Sequence, residues 1–325
     1  MRVVSLVPSA TEILFAVGAG DDVVGVTFEC DHPAEARMRT VVSNTTLPEG
    51  LSPREIDDAV TAAVARGEDL YRLDAGALSA LDADLVVTQD LCAVCALDVA
   101  TVDAALAHLG CTAEVVTVDP HTLEEVLASI GTIGAAVGRA EAAQALVTSL
   151  RERLGRVAEQ VAGRPRPRVV VLEWTDPPYA PGHWVPELVE AAGGEAVLGT
   201  AGARSHRVTW DDVAAARPEV VVVAPCGFDR AGAREQADAL IAQGVLPARV
   251  ATHAVDADGQ WARPGPRLVE GVEELARLLH PHARRDPRRG SSVTSAVPTA
   301  GAAGVLRVRQ ARESADADAD EVDQG

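Results

Sequence analysis

The sequence predicts an α/β protein of two lobes, each built on a small parallel sheet, joined by one long helix. Three observations carry that prediction. Short Val- and Leu-rich runs alternate with capped helical runs on both sides of residues 140–161, the pattern of strand–helix units in a parallel sheet. Residues 140–161 carry Leu146, Leu150, Leu154, Val157 and Val161, with Val147 alongside, and steps of three and four place these on one helix face. Most of the large rings and thiols fall in loops just after the predicted strands, where parallel sheets form their ligand crevices.

In chain order, Val3–Val7 is a β-branched run and reads as the first strand. Ser9 and Glu12 have the spacing of a capping box, which predicts a helix from there to about Val17. Val23–Val26 is a second strand whose exit carries Phe28-Glu29-Cys30-Asp31-His32-Pro33. The same capping spacing recurs at Ser52 and Glu55, opening a helix through Ala65. Ala77–Leu81 then reads as helix, Leu85–Thr88 as buried strand, and Gln89 to Cys95 as a loop. A helix to Leu109 and a strand over Val115–Val118 complete the first lobe.

Thr122 and Glu125 start a helix to about Val137, and Gly138 caps it in left-handed fashion before the long helix begins. At 1.5 Å per residue that helix spans roughly 30–35 Å. Glu152 stands four residues before Arg156 for local pairing, and Gly163 with Pro165 stops the helix. The second lobe follows with a strand over Val169–Leu172, a helix over Asp212–Arg217 and a strand over Val220–Val223. A loop with Cys226 and Phe228, a strand over Val250–Val255 and a helix over Arg267–Leu279 come next. Helix, strand and cysteine-bearing loop thus recur in the same order in both halves. The predicted division is an N-terminal lobe at 1–121, linking helices at 122–163, a second lobe at 164–282 and a disordered tail at 283–325, whose composition supports no core.

The charge balance narrows the function. A formal net charge of -19 over 325 residues disfavours nucleic acid and anionic membrane as partners. No lysine occurs, which removes Schiff-base catalysis and a P-loop lysine. No apolar run approaches membrane-spanning length, and Arg2–Pro8 reads as a strand rather than an export signal. The chain as written is expected in the cytoplasm; a periplasmic or extracellular location requires a start further upstream.

Nine large aromatics occur, and Phe28, Trp174, Tyr179, Trp184, Phe228 and Trp261 follow predicted strands closely. A core of Val, Leu and Ala with rings reserved for loops suggests a lined pocket between lobes; the plainer reading is that the rings plug gaps. Cys92-Ala93-Val94-Cys95 has the spacing of zinc and dithiol sites. A structural zinc needs four ligands and no second pair is present, so Cys30, Cys226, Glu29 and His32 complete one only if their loops converge. Unreactive or ligand-contacting thiols are the simpler reading. His183, beside Trp184, is the histidine placed nearest a pocket. No His-x-x-x-His, Gly-x-Ser-x-Gly or Gly-x-Gly-x-x-Gly motif appears.

Leu6-Val7-Pro8-Ser9-Ala10-Thr11-Glu12, Glu29-Cys30-Asp31-His32-Pro33, Thr88 to Cys95, Gly182-His183-Trp184-Val185-Pro186-Glu187 and Arg263-Pro264-Gly265-Pro266-Arg267 together resemble cobalamin-binding proteins. These are the substrate-binding components of ABC importers for vitamin B12 and iron chelates. The resemblance covers about Val3 to Pro281 and implies a class III substrate-binding-protein-like fold, with the ligand held between lobes bridged by a single helix. By position it implies a ligand set of Phe28, Gln89, Asp90, Trp174, Asp176, His183, Trp184, Phe228, Trp261 and Arg263. A corrinoid (cobalamin) or related tetrapyrrole or iron chelate is the implied ligand, with Cys92, Cys95 or His183 as candidates near its metal. Importer membrane subunits are the implied protein partners. The expectation is therefore a non-catalytic binding protein, either transporter-type or an intracellular carrier. Its rival is a metal- or thiol-dependent enzyme using Cys92 and Cys95 at the cleft, with zinc as its metal.

Overall fold

The computed structural model describes residues 1–48, 50–68, 70–89 and 113–281. Asp90, Cys92 and Cys95, the helix predicted to end at Leu109, and the tail lie outside the described residues. The first lobe runs β1 (Val3–Ser5), α1 (Pro8–Ala16), β2 (Val23–Thr27), β3 (Thr40–Thr45), α2 (Pro53–Arg66), β4 (Tyr71–Leu73), α3 (Ala75–Ala80), β5 (Leu85–Gln89) and β6 (Glu114–Val118). Two helices follow, α4 (Leu123–Ala136) and α5 (Ala140–Val161). The second lobe holds β7 (Arg168–Leu172), β8 (Trp174–Thr175), β9 (Pro178–Ala180), α6 (Val185–Ala191), β10 (Glu195–Ala196), β11 (His206–Arg207) and α7 (Trp210–Ala215). It continues with β12 (Val220–Val223), α8 (Arg230–Gln243), β13 (Ala251–Ala254), a π-helical turn at Asp258–Ala262, and α9 (Leu268–Leu279).

The first sheet has the order β4-β3-β2-β1-β5-β6, all parallel except the antiparallel β3–β4 pair. The second has the order β10-β7-β12-β13, parallel throughout. Counting each lobe's strands from its own first, β2-β1-β5-β6 and β10-β7-β12-β13 share one order. The strands that carry the two recurring loops, β5 and β12, occupy equivalent positions. A third, antiparallel sheet of β11-β9-β8 sits beside the second. Its two- and three-residue strands are too short to show a period-two pattern, so the sequence reading missed it.

Burial explains the parallel strands. Val3 and Val4 are fully buried, as are Val86, Val87 and Val221 to Val223, because helices cover both faces of a parallel sheet. The long helix has the bounds its apolar stripe predicted. Ala143, Val147, Leu150 and Val157 are buried on it, with Leu146, Leu154 and Val161 partly buried against the cores. Gly138 and Gly163 take positive φ at its two ends. Its ion pairs run off the helix rather than along it: Arg153 grips Glu273 of α9 at 2.8 and 2.9 Å, and Arg151 pairs with Glu124 of α4.

Two of the three predicted capping boxes form. Ser52 with Glu55, and Thr122 with Glu125, exchange both bonds. Ser9 with Glu12 does not, because α1 begins one residue earlier: Val7 is the N-cap and Pro8 takes the first turn. Proline suits that position because it has no N–H to leave unpaired. Ser9 becomes a buried residue on the helix, and Glu12 turns to another partner.

Candidate functional site

Loops at the carboxyl ends of the two sheets meet. In the first lobe, the loop after β2 presents Phe28, Glu29 and Asp31, and α2 follows the carboxyl end of β3. In the second, β7 ends just before Glu173 and Trp174, β12 ends before Cys226 and Phe228, and β13 leads to Asp258 and Arg263. Arg263 donates to Asp31 Oδ1 at 2.5 Å and to the Glu29 carbonyl at 3.2 Å. Trp174 Nε1 donates to the Pro53 carbonyl at 3.2 Å. These bonds cross from one lobe to the other.

Each lobe carries a ring pair on this edge. Phe28 is 37% exposed, and its ring lies 5.9 Å from Tyr71, tilted by 35°. Trp174 and Phe228 stand 5.8 Å apart with planes at 59°. Both separations suit tilted aromatic contact. Three of these four rings were in the predicted ligand set or its loop; Tyr71 was not, because β4 returns antiparallel from a segment that shows no strand pattern. Beside the first pair, Tyr71 donates to Glu29 Oε1 at 3.4 Å. Burial pushes the Glu29 carboxyl up to about 7 against the opposing pull of Arg263. Gln89, at the end of β5, is buried, and its Oε1 has no partner among the described residues. An acceptor left this way costs free energy, and the chain directly after Gln89 lies outside the described residues.

Three predicted contact residues do other work. Trp184 and Trp261 are 3% and 2% exposed and pack with Leu188, Leu268 and Val272 in the second lobe's core. Trp184 Nε1 also donates to the Trp261 carbonyl at 2.8 Å. Both rings are thus packed within the second lobe's own core, a placement that neither a pocket lining nor a plug between lobes describes. Arg263 is 8% exposed, with its guanidinium committed to Asp31, Asp258 Oδ2 at 2.6 Å, Glu12 Oε1 at 3.3 Å and the Glu29 carbonyl. Arg267 joins it, reaching Glu12 at 3.5 Å and Asp256 at 3.2 Å. Arg263 therefore ties the lobes together instead of projecting toward a ligand. Burial pushes the Glu12 carboxyl up to about 7 despite both arginines. For Asp31, Arg263 overcomes the effect of burial and holds the carboxyl below its ordinary range.

Asp176 is exposed and pairs with Arg54 of α2. His183 holds a left-handed backbone, φ 48°, with its ring 5.6 Å from His121 and 5.7 Å from Trp184. Its Nε2 is buried without a described partner, and burial followed by the His121 charge lowers its pKa. Cys30 is buried with its sulfur 3.0 Å from Thr11 Oγ1, and burial pushes the thiol up to about 11, which makes it unreactive. Cys226 is exposed. Among the described residues no group of three or more His, Cys, Asp or Glu could hold a metal ion; Cys92 and Cys95, the pair that Cys30, Cys226, Glu29 or His32 would have completed, lie outside the described residues. No helix of the described residues is long and apolar enough to cross a membrane.

Known proteins resemble this chain along most of its length. The uncharacterized ABC transporter substrate-binding lipoprotein YvrC of Bacillus subtilis is 27% identical over 291 residues, covering 86% of this chain and 80% of that one. The cobalamin-binding protein of Halobacterium salinarum is 25% identical, covering 86% of this chain and 69% of its own length. Among solved structures, the periplasmic vitamin B12 binding protein of Vibrio cholerae superposes with a TM-score of 0.63 at 21% identity, covering 87% of this chain and 98% of that one. The periplasmic heme binding protein HutB of the same organism gives 0.65 at 18% identity, covering 86% and 99%. These structures share the two α/β lobes described above. A family model for periplasmic binding proteins matches residues 3–251, and the chain belongs to that family.

Proposed function

We propose that this chain is a substrate-binding protein that holds a planar metal macrocycle, a corrinoid or a haem, between its lobes for transfer to the membrane subunits of an ABC importer. The observation that supports this most is the ring pair on each facing edge, Phe28–Tyr71 and Trp174–Phe228. Flat, apolar ligands are bound by aromatic faces with a few polar groups at the rim, and Gln89 and Glu29 stand beside the first pair. Relatives named for cobalamin and neighbours named for vitamin B12 and heme favour the same ligand class. The enzyme alternative rested on Cys92 and Cys95, which lie outside the described residues, and nothing in the family or its neighbours favours it or its zinc. The relatives' names, a lipoprotein and periplasmic proteins, favour a site of action outside the cytoplasmic membrane over the cytoplasmic carrier. Fractionation of the producing cells checks that point.

Titrating the protein with hydroxocobalamin and, separately, haemin tests the reading. One of the two is expected to shift its visible spectrum and to raise the melting temperature, because a ligand selective for the folded state at a hundred times its Kd adds about 2.7 kcal/mol of stability. A chain that leaves both spectra and its own melting temperature unchanged refutes the proposal.

A further inference from the structure

We propose that α2 is a lid on the interlobe edge, latched to the second lobe through Asp57 and Arg54, and that releasing this latch sets the rate of ligand exchange. The inference rests on the binding function proposed above, although the latch itself is tested without any ligand.

Helix α2 is poorly anchored by apolar burial. Of its fourteen residues only Ala63 is buried, and Val64 is 56% exposed. A helix of this length is marginal in water without an apolar face to dock. Ser52 and Glu55 close its amino end with a capping box, and Gly67 closes its carboxyl end in left-handed backbone, φ 65°. Those contacts keep it helical but do not hold it to anything. Among the described residues, its side-chain bonds to the rest of the protein run to the second lobe. Asp57 accepts from Tyr179 Oη at 3.1 Å and from Arg207 at 2.6 Å. Arg54 pairs with Asp176, and the Pro53 carbonyl accepts from Trp174 Nε1. Arg207 in turn lies 5.8 Å over the Tyr179 ring.

All four partners belong to the small antiparallel sheet or to its β8–β9 turn, so α2 reaches across the edge where the lobes meet. Trp174 is also one of the rings proposed to face the ligand, so the same indole both makes the tilted contact with Phe228 and hangs the lid. Arg54, Asp176 and Arg207 have about half of each side chain exposed, whereas Asp57 keeps only 9% exposed. Exposed ion pairs are weak. Asp57, with two donors and little water, is therefore the contact that decides whether the lid stays down.

The test is Asp57→Ala in the full chain, read first by amide hydrogen exchange. The amides of α2 are expected to exchange roughly tenfold faster or more than in the parent, the size of effect that losing bonds to a charged acceptor gives. Amides of α5 keep their parent rates, and the melting temperature stays within about 3 °C. Stopped-flow release of hydroxocobalamin or haemin, whichever binds, then quickens several-fold in the variant. Tyr179→Phe, which removes one donor and leaves Arg207, gives an intermediate rate. Two results overturn the proposal: α2 amides that exchange in step with α5 in both proteins, which makes α2 a structural brace, or unchanged α2 exchange in Asp57→Ala. If neither ligand binds, the ligand reading fails while the exchange result still decides the latch.

Discussion

Replacing Arg263 with Met keeps the length and apolar stem of the side chain and deletes the charge at the junction of the lobes. The guanidinium is 8% exposed and faces Asp31, Asp258, Glu12 and the Glu29 carbonyl. On the cationic side, Arg267 remains beside Glu12 and Asp256, and Arg37, two-thirds exposed, stays at 3.3 Å from Asp31. Removing one partner of a buried ion pair costs roughly 3–5 kcal/mol, because the other charge is left behind without water. Here the cost depends on pH, and its sign follows from Glu12. Burial raises that carboxyl from 4.5 to about 7 in the fold, so its contribution is fully present below the unfolded value and is lost as pH rises through the folded one. On that group alone the parent is about 3 kcal/mol less stable at pH 8 than below pH 4.5. Without Arg263, the carboxyls of Glu12, Asp31 and Asp258 all move upward, so protonation rescues the variant at low pH and fails to at high pH. Urea unfolding at pH 5.5 and pH 8, with m unchanged, is the assay. Arg263→Met should lose at least about 3 kcal/mol at pH 8 and clearly less at pH 5.5. A loss below about 1 kcal/mol, or one equal at both values, would mean that Arg263 behaves as a solvated rim charge, and the interlobe tie would be refuted.

The two kinds of tryptophan separate cleanly. Trp184→Ala should cost about 3–5 kcal/mol of stability, as for other buried large-to-small changes, whereas Trp174→Ala should barely move the melting curve and should weaken ligand binding at least tenfold, roughly the worth of a stacked ring; thermal unfolding beside a binding titration reads both. Thr122→Ala should lower stability by about 1 kcal/mol through loss of the α4 cap, visible as a shift in urea midpoint; no shift would mean that Glu125, which also accepts from the His121 and Thr122 N–H groups, closes the helix alone.

The central helix could be read from sequence because its caps and its stripe agree over six turns, and local and tertiary forces ask for the same thing. Ser9 and Glu12 show where that agreement breaks. Their spacing matches that of Ser52–Glu55 and Thr122–Glu125, yet Glu12 binds Arg263, 251 positions away, and no local rule contains that partner. Trp184 and Trp261 looked like pocket rings because they follow strands closely. The chain instead turns them under α9, which buries far more apolar surface than a crevice wall would. Phe28, Trp174 and Phe228 sit in similar loops and stay at the edge. What distinguishes the two sets is which face of the lobe the next helix covers, a property of packing that residue order alone does not express. Helix α2 was legible as a helix from Ser52 and Glu55. Its destination was not, since polar residues on a helix ordinarily mean a solvated face, and here Arg54 and Asp57 mean attachment.

Leu154 of α5 packs against both hydrophobic cores at once. The connection between the halves is thus no tether but a common wall, with Val147 and Leu150 on one side and Val157 on the other. Neither half can fray away from it without stripping apolar surface from its twin. Any relative tilt of the halves has to slide against this shared wall, whereas α2, outside it, is free to be tested as the moving part.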